Sequence, residues 1–435
     1  HTSAGVEQRE IMLLKKIGLI VAIAFVCTSA LRAEDPRWLK GNIHTHSFWS
    51  DGNQFPEMIA QWYVDRGYQF LALSDHNILS KGDKWMPYAT LAKRGGEDVV
   101  AKYIAAFGKD WVTTRGKPGT ADYSVRLKTL EEFRSKVETT DKFLMIQSEE
   151  ISDRSQGGPV HMNATNIQEL IPPVGGATVR EAMTNNLRAV AEQAKRTGKP
   201  IVLHLNHPNF GYAVTAEDIA SVVMERYVEI YNGHPGVNVG GDDEHASMEE
   251  IWDIANTIRL VQLGAAPLFG VGTDDSHHYH GRGSSRPGRS WVMVRCDDLD
   301  ADAVTTKIQE GDFYSSSGVT LRDVQYDAKK KTLTVGIKPQ SGVTYKTQFI
   351  GTLKSVDLSA KPRLDKNGKP RRTTHIYSKD IGKVLGESEG VDATYEFTGD
   401  ELYVRAVVTS SKAHSDRTLP NQAEQAWTQP VGWKN

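Results

Sequence analysis

Between residues 42 and about 318, short apolar runs alternate with stretches of helical period. "FLALSDHN" (70–77), "FLMIQSEEIS" (143–152), "PIVLHLNHP" (200–208), "YVEIYNG" (227–233) and "LFGVGTDDSHH" (268–278) read as buried strands, each ending in polar residues. The helical stretches are "PEMIAQWYVDRG", with Pro56 in the first turn and Gly67 as its stop, "TVREAMTNNLRAVAEQAKRTGK" and "SMEEIWDIANTIRL". This alternation predicts a parallel α/β sheet, and the repeated polar strand ends predict a barrel with its site at the C-terminal rim. Residues 79–140 break the rhythm. They are polar, carry Trp85, Trp111 and several glycines, and are too long for a plain loop, which predicts a helical insertion covering the site.

From about 319 the period falls to two. "VTLRDVQYD", "KTLTVGIKPQ", "VTYKTQFIG", "ATYEFTG" and "ELYVRAVVTSS" are separated by Gly, Asn and Pro turns, predicting a small C-terminal β-sandwich over 319–435 after an α/β barrel over 34–318. Upstream, after Met12, Lys15 and Lys16 precede an apolar run from Ile17 to Val26 and then small residues. Residues 1–33 are therefore expected to hold a secretory signal cleaved near Ala30–Ala33, the run being short for a membrane span. Export to the periplasm or beyond follows. Cys27 would leave with the signal, and Cys296 alone would make no internal disulfide.

With 435 residues, 39% hydrophobic, 24% charged and a formal net charge of -2, the composition is that of an ordinary globular chain. The balance gives no argument for nucleic-acid or membrane-surface binding. Oligomeric state is not legible.

The histidines are less ordinary. Of 14, eleven fall between residues 44 and 280, most of them at strand ends. In "NIHTHSFWSDG" (42–52), His44 and His46 share a strand face, and Asp51 follows in a loop able to fold back. His76 ends its strand beside Asp75, which could orient an imidazole or a water. Glu149 and Glu150 end another strand, His161 follows in "GGPVHMN", His204 and His207 end "IVLHLNHP", and Asp275 and His277 repeat the i, i+2 spacing. Histidines and carboxylates without thiolates suit Zn, Mn or Fe at sites with open positions for water. Clustered divalent ions lower the pKa of a bound water towards ~7, and a pair ~3.5–4 Å apart stabilises both oxygens of an in-line displacement.

The motif order H-x-H-x4-D-G, D-H, E-[IVL]-S, a lone H, H-P and D-x-H resembles that of the polymerase and histidinol phosphatase (PHP) superfamily, over about residues 42–318. The resemblance implies a distorted (β/α)7 barrel with a two- or three-metal centre, usually hydrolysing phosphate esters. Carried over by position, the ligands would be His44, His46, Asp51, His76, Glu150, His161, His207, Asp275 and His277. Glu150 is preferred to Glu149 because it precedes Ile151-Ser152, and His207 to His204 because it precedes proline. Asp51 and Glu150 would bridge metals, with Asp75, His277 or Asp274 assisting, and hydroxide would attack a small, phosphorylated ester. One or two phosphate contacts would come from among Arg154, His278, His280, Arg282, Arg286 and Arg289, the arginines' guanidinium forks matching phosphate oxygens. Trp49, Trp85, Phe210 and Tyr212 are candidate pocket aromatics. Export makes the chain similar to stand-alone secreted members rather than to a polymerase module or a biosynthetic enzyme. Two rival readings are a metal-dependent hydrolase of carboxylic or carbamate esters or amides, and a non-catalytic metal-binding or surface-interaction protein.

Overall fold

The computed structural model describes residues 37–281 and 283–434. The expected signal at 1–33 and Arg282 lie outside the described residues. The chain opens with β1 (Trp38–Asn42), α1 (Pro56–Val64) and β2 (Phe70–Leu73). Residues 79–140 then give β3 (Lys84–Pro87), α2 (Tyr88–Gly95), α3 (Val99–Phe107), β4 (Thr114–Arg115), β5 (Ser124–Leu127) and α4 (Leu130–Val137). Next come β6 (Leu144–Ser155), β7 (Gly158–Thr165), α5 (Val179–Thr197), β8 (Val202–Leu205), α6 (Ala216–Ser221) and β9 (Tyr227–Asn232). They are followed by α7 (Met248–Ile258), β10 (Phe269–Thr273), β11 (Trp291–Arg295), α8 (Ala301–Glu310) and β12 (Phe313–Ser316). Seven further strands complete the described chain: β13 (Leu321–Asp327), β14 (Thr332–Ile337), β15 (Tyr345–Leu353), β16 (Lys383–Glu389), β17 (Asp392–Glu396), β18 (Glu401–Ala413) and β19 (Ala423–Trp427).

The architecture is mixed α/β around one 13-stranded sheet of order β10-β9-β8-β7-β6-β2-β1-β11-β12-β19-β18-β15-β16. Pairs β1–β2, β2–β6, β8–β9 and β9–β10 are parallel, as the strand–helix alternation predicts. The sheet is not parallel throughout, because β7 runs antiparallel between β6 and β8. Gln156 and Gly157 both have positive φ (51° and 83°), the geometry of a two-residue hairpin turn matched to strand twist. That turn sends β7 straight back along β6 and sets His161 opposite Ser152. Polar His161 and Asn163 hide β7 from an apolar-run reading. Past the strand ends, Thr45 bridges to Ser276 in parallel, so the segment after β1 meets the segment after β10.

The helices carry their own start signals. Thr178 with Glu181 and Ser247 with Glu250 form capping boxes on α5 and α7, and Gly198 ends α5 in the left-handed region. Along α5 the buried residues Val179, Ala182, Met183, Leu187 and Val190 recur at helical spacing and pack into one core with Met162, Leu203 and Leu205 of the sheet.

Residues 79–140 are not simply helical. β3, β5 and β4 form a three-stranded sheet beside the three helices, and Met86, Leu91, Tyr103 and Val125 share a core with Phe48, Trp49 and Phe55. Trp49, 1% exposed, is thus buried against this segment and donates its indole N–H to the Lys128 carbonyl. Beyond residue 318, β13, β14 and β17 form a separate three-stranded sheet. Leu333, Val335 and Ala393 from it pack with Phe349, Val404 and Ala406 from β15 and β18, which extend the main sheet.

Candidate metal centre

The histidine-rich strand ends converge at one rim. The turn after β1 is set by Asn42, whose Oδ1 accepts from the His44 amide at 3.0 Å and whose Nδ2 donates to the Ser290 carbonyl at 2.9 Å. Asp75 fixes the next loop. Its carboxylate accepts from the Ser47 amide (2.8 Å) and hydroxyl (2.6 Å) and from the Ser50 amide (3.0 Å) and hydroxyl (2.5 Å), which fold the loop back to present Asp51. Gly52 is required there, because a Cβ would stand 2.4 Å from the His46 carbonyl oxygen. Across the rim, Asp275 sits at φ 46°, a left-handed conformation costly for a residue with a side chain.

Among the described residues, five overlapping groups of side chains lie close enough to hold metal ions: His46/Asp51/His76/His277, His44/His46/Glu150, His44/His207/Asp275, His44/His204/Glu229 and His76/Glu150/His161. All nine ligands implied by the motif resemblance fall in these groups, joined by His204 and Glu229. Glu150 and Asp275, both buried, are the hubs. His46 Nε2 lies 3.5 Å from Glu150 Oε2 and 3.2 Å from Asp275 Oδ1, and His44 Nε2 lies 3.6 Å from Glu150 Oε1 and 3.4 Å from Asp275 Oδ1. His207 Nε2 is 3.5 Å from Glu150 Oε1, and His277 Nε2 is 3.3 Å from Asp51 Oδ1.

These spacings test whether a metal fits. His44 Nε2 and both His46 nitrogens are buried without a hydrogen-bond partner, an arrangement that ordinarily destabilises a fold. Two ligands on one tetrahedral ion with bonds of ~2.05 Å stand roughly 3.3 Å apart. The separations of 3.2–3.6 Å about His44, His46 and His207 match such a coordination edge, whereas His76 Nδ1 and His161 Nδ1 stand 2.6 and 3.0 Å from Glu150, at hydrogen-bond distance. The donor set fits divalent cations.

Electrostatics agree. Burial works against ionising Glu150 and Asp275, yet the imidazoles around them, His161, His76 and His44 for Glu150 and His44 and His46 for Asp275, hold both carboxyls well below their ordinary range. Burial likewise opposes charge on His76, but Glu150 and Asp51 override it and push the imidazole up to about 11. His46 goes the other way, down to about 4, through burial and its neighbours His277 and His76. A buried carboxylate cluster that draws protons onto its imidazoles draws divalent cations by the same field.

Reading the sequence alone misses Glu229. It is fully buried in β9 and accepts from His44 Nδ1 (2.7 Å), the Thr273 hydroxyl (2.7 Å), the His207 amide (2.8 Å) and Asn232 Nδ2 (2.8 Å). It fixes the His44 tautomer, leaving Nε2 free to ligate. A glutamate between apolar neighbours in "YVEIYNG" was the available signal. Also missed are Asn206, which donates to Glu150 Oε1 at 2.8 Å, and His234, which lines the cavity. That cavity, of about 250 Å³, is bounded by Asp51, His76, Glu150, His161, His207, Phe210, His234, Asp275 and His277.

Other predicted residues sit elsewhere. Asp75 belongs to none of the ligand groups and is committed to Ser47 and Ser50. Asp274 accepts from Tyr63 and from the Gly288, Arg289 and Ser290 amides. Glu149 Oε1 accepts from the Ile171 amide, and burial pushes its carboxyl up to about 8. Arg286 forks onto Asp416, Arg289 is buried on the Gly233 and Ser284 carbonyls and Asp416, and exposed Arg154 donates to the Gly157 carbonyl. Tyr212 stacks on His245 with centroids 3.4 Å apart, and His280 Nε2 lies 2.9 Å from the Asn53 carbonyl. Trp85 donates to Asp83. His278, with Asn53, Lys93 and Arg94, lines a second cavity of about 740 Å³ beside the Asp51 loop.

No family model matches this sequence, and no curated protein matches it. Among solved structures, the chain is similar to a two-domain protein from Bacteroides vulgatus containing a predicted PHP-like metal-dependent phosphoesterase, at 14% identity and a TM-score of 0.39, over 91% of this chain and 96% of that one. It is also similar to PsfC from Pseudomonas syringae, at 10% identity and a TM-score of 0.32 over 62% and 88% of the two chains. An amidohydrolase from Chromobacterium violaceum with bound sulfate and no metal gives 13% identity and a TM-score of 0.27 over 57% and 93%. At such identities and scores these likenesses say nothing of the reaction, which is read from the side chains.

Proposed function

We propose that the protein is a metal-dependent hydrolase acting on phosphate esters. The observation that carries this reading is the convergence of partnerless, buried His44 and His46 nitrogens on Glu150 and Asp275 at coordination-edge distances. Divalent ions bound there would acidify a water and polarise the ester oxygen. His44, His46, His207, Glu150 and Asp275 would hold the inner position, and Asp51, His76 and His277 one nearer the mouth, where the Asp51 side chain is 58% exposed. His234 stands in none of the ligand groups. Its Nδ1 accepts from the Gly236 amide, so Nε2 carries the ring proton and offers a donor to the ester. Lys93, Arg94 and His278 in the adjoining cavity would receive the anionic group.

One observation favours a second reading. Among the described residues no arginine or lysine lines the 250 Å³ cavity, which suits a neutral carboxylic or carbamate ester or an amide. Mn- or Zn-loaded protein should therefore be compared on a chromogenic phosphomonoester, a phosphodiester and a carboxylic ester, with Asp275→Asn as the blank. Phosphate-ester turnover lost in the variant is expected. Turnover of the carboxylic ester alone would replace the first reading with the second, and inertness on all three with stoichiometric metal would favour a binding role.

The same proposal includes export, supported by the residue pattern of 12–33, and a barrel of residues 34–318, supported by the Thr45–Ser276 bridge. It also includes a β-sandwich over 319–435, supported by the core shared between the small sheet and β15–β18.

A further inference from the structure

Part of the chain between β15 and β16 leaves its own sheet. Residues 361–376 form a two-legged strap, in which Lys361 bridges to Ile376 and Leu364 to Pro370. The strap lies on loops that border the metal cavity, and Arg372 makes its central contact. Nε donates to Gln156 Oε1 at 3.0 Å, Nη1 to the Ala213 carbonyl and Nη2 to Asp218 Oδ2 at 2.7 Å. One guanidinium thus uses its whole fork to join three pieces of chain: the β6–β7 turn, the loop after β8 and the first turn of α6. The first two are already in close approach, since a Cβ on Gly158 would stand 2.7 Å from the Ala213 Cβ. Neighbouring strap residues extend the attachment. Thr374 Oγ1 accepts from the Ala216 amide at 3.0 Å, Arg363 Nη1 donates to the Asp243 carbonyl at 3.1 Å, and Arg371 pairs with Glu244.

The loops held in this way carry two side chains of the cavity wall. Phe210 stands three residues before Ala213, His234 belongs to the loop that ends near Glu244, and both line the 250 Å³ cavity. The two loops are joined to each other: Phe210 bridges to Val237, and Asn209 Nδ2 donates to the Asn238 and Ala246 carbonyls at 2.8 and 2.9 Å. The Phe210 ring centroid lies 6.1 Å from that of His234. Between β8 and α6 the backbone is irregular and enters the left-handed region at Gly211 and Tyr212 (φ 60° and 52°). For a tyrosine that conformation is costly and persists only where the surroundings impose it. We propose that Arg372 is a positioning residue for the hydrolytic site, fixing through the Ala213 carbonyl the loop of Phe210 and, through that loop, His234 towards the bound ester. The inference rests on the hydrolase reading of the cavity. It gives the chain beyond residue 318 a part in the site, although none of the residues lining the cavity comes from it.

Amide hydrogen exchange and kinetics on the whole, Mn- or Zn-loaded chain test this. Arg372→Ala should keep the metal stoichiometry of the parent. It should speed exchange across 207–214 and 233–246 by ~10-fold, the scale of one lost charge-assisted hydrogen bond, and leave β1 unchanged. On whichever ester the parent turns over, kcat should fall ~10–100-fold, the cost of a small misplacement, with KM changed less. In a His234→Ala background the same substitution should cost no more than a few-fold, because the group it positions is gone. Arg372→Lys keeps the charge on Asp218 and loses the fork, so it should fall between. Unchanged exchange in the two loops, metal lost together with activity, or an undiminished fall in the His234→Ala background would each overturn the proposal. A parent inert on every ester would remove the hydrolase reading, and exchange would still decide whether Arg372 holds the loops. Should Arg372→Ala fail to fold by circular dichroism, Arg372→Lys and Gln156→Ala decide in its place.

Discussion

Two clusters of charge meet at the neighbouring residues Asp274 and Asp275 and are built on opposite plans. Around Asp416 and Asp274 each carboxylate oxygen is met by a donor at hydrogen-bond distance: Arg286 Nε at 2.8 Å and Arg289 Nη2 at 3.1 Å on Asp416, and amides at 2.6–2.9 Å with the Tyr63 hydroxyl at 2.8 Å on Asp274. Around Glu150 and Asp275 the Nε2 atoms of His44 and His46 stop at 3.2–3.6 Å from the carboxylates and remain partnerless, although Glu150 also accepts from Asn206. Arginine forks close on a carboxylate. The His44 imidazole, held from behind by Glu229, and the His46 imidazole keep the separation at which an ion can sit between them and the carboxylates. Arg286 and Arg289, which look like phosphate contacts in the sequence, therefore complete a structural cluster, while the histidines remain open to a ligand.

The most direct way to break this contrast is Asp275→Asn. An amide keeps the shape and loses the charge that balances a cation, so turnover should fall by roughly 10³-fold, the scale of losing a preorganised charge contact. Metal content by elemental analysis should drop with it. Full metal retention would mean that Asp275 belongs to the closed plan after all.

Glu229→Gln probes the support behind His44 without touching the open face. Changing such an outer partner typically costs ~10–100-fold in metal affinity or activity. Competition with a chelator should show that loss, with metal stoichiometry recovered at saturating ion. An unchanged affinity would make Glu229 only a means of satisfying Thr273 and the His207 amide.

The arginines sharpen the contrast further. Arg94→Ala should raise KM for a phosphate ester ~10-fold, one charge-assisted contact, and leave a carboxylic ester alone. Arg286→Ala, which removes only the fork on Asp416, should leave both unchanged. Equal effects of the two substitutions would return the 282–289 loop to the substrate.

Much of this was legible in the sequence, for identifiable reasons. The residues that cluster at strand ends are legible because an apolar run stopping at His76 or His207 marks a buried strand and a polar rim together. The α5 and α7 starts are legible because Thr178/Glu181 and Ser247/Glu250 are local signals. What escaped depends on contacts distant in sequence. β7 carries His161 and Asn163 and lacks an apolar run. Glu229 is recognisable only once His44, 185 positions away, is seen against it. Arg286 and Arg289 find Asp416, 130 and 127 positions on, which no local pattern announces.

The smallest expected effect belongs to the closed cluster. Burial alone would raise the Asp416 carboxyl, but Arg286 and Arg289 override it and hold it at about 2. In the unfolded chain an aspartate titrates near ~3.9. The folded state therefore binds its proton at lower pH, and the stabilisation is fully present above about pH 4 and lost as pH falls towards 2. With the side chain 24% exposed, screening reduces it to about 1 kcal/mol. Urea unfolding of chelator-treated protein should show Asp416→Asn less stable than the parent by that amount at pH 7, the gap closing towards pH 2. A gap that persists at pH 2 would mean the asparagine disturbs packing, whereas no gap at pH 7 would show that this closed cluster is balanced by its own desolvation.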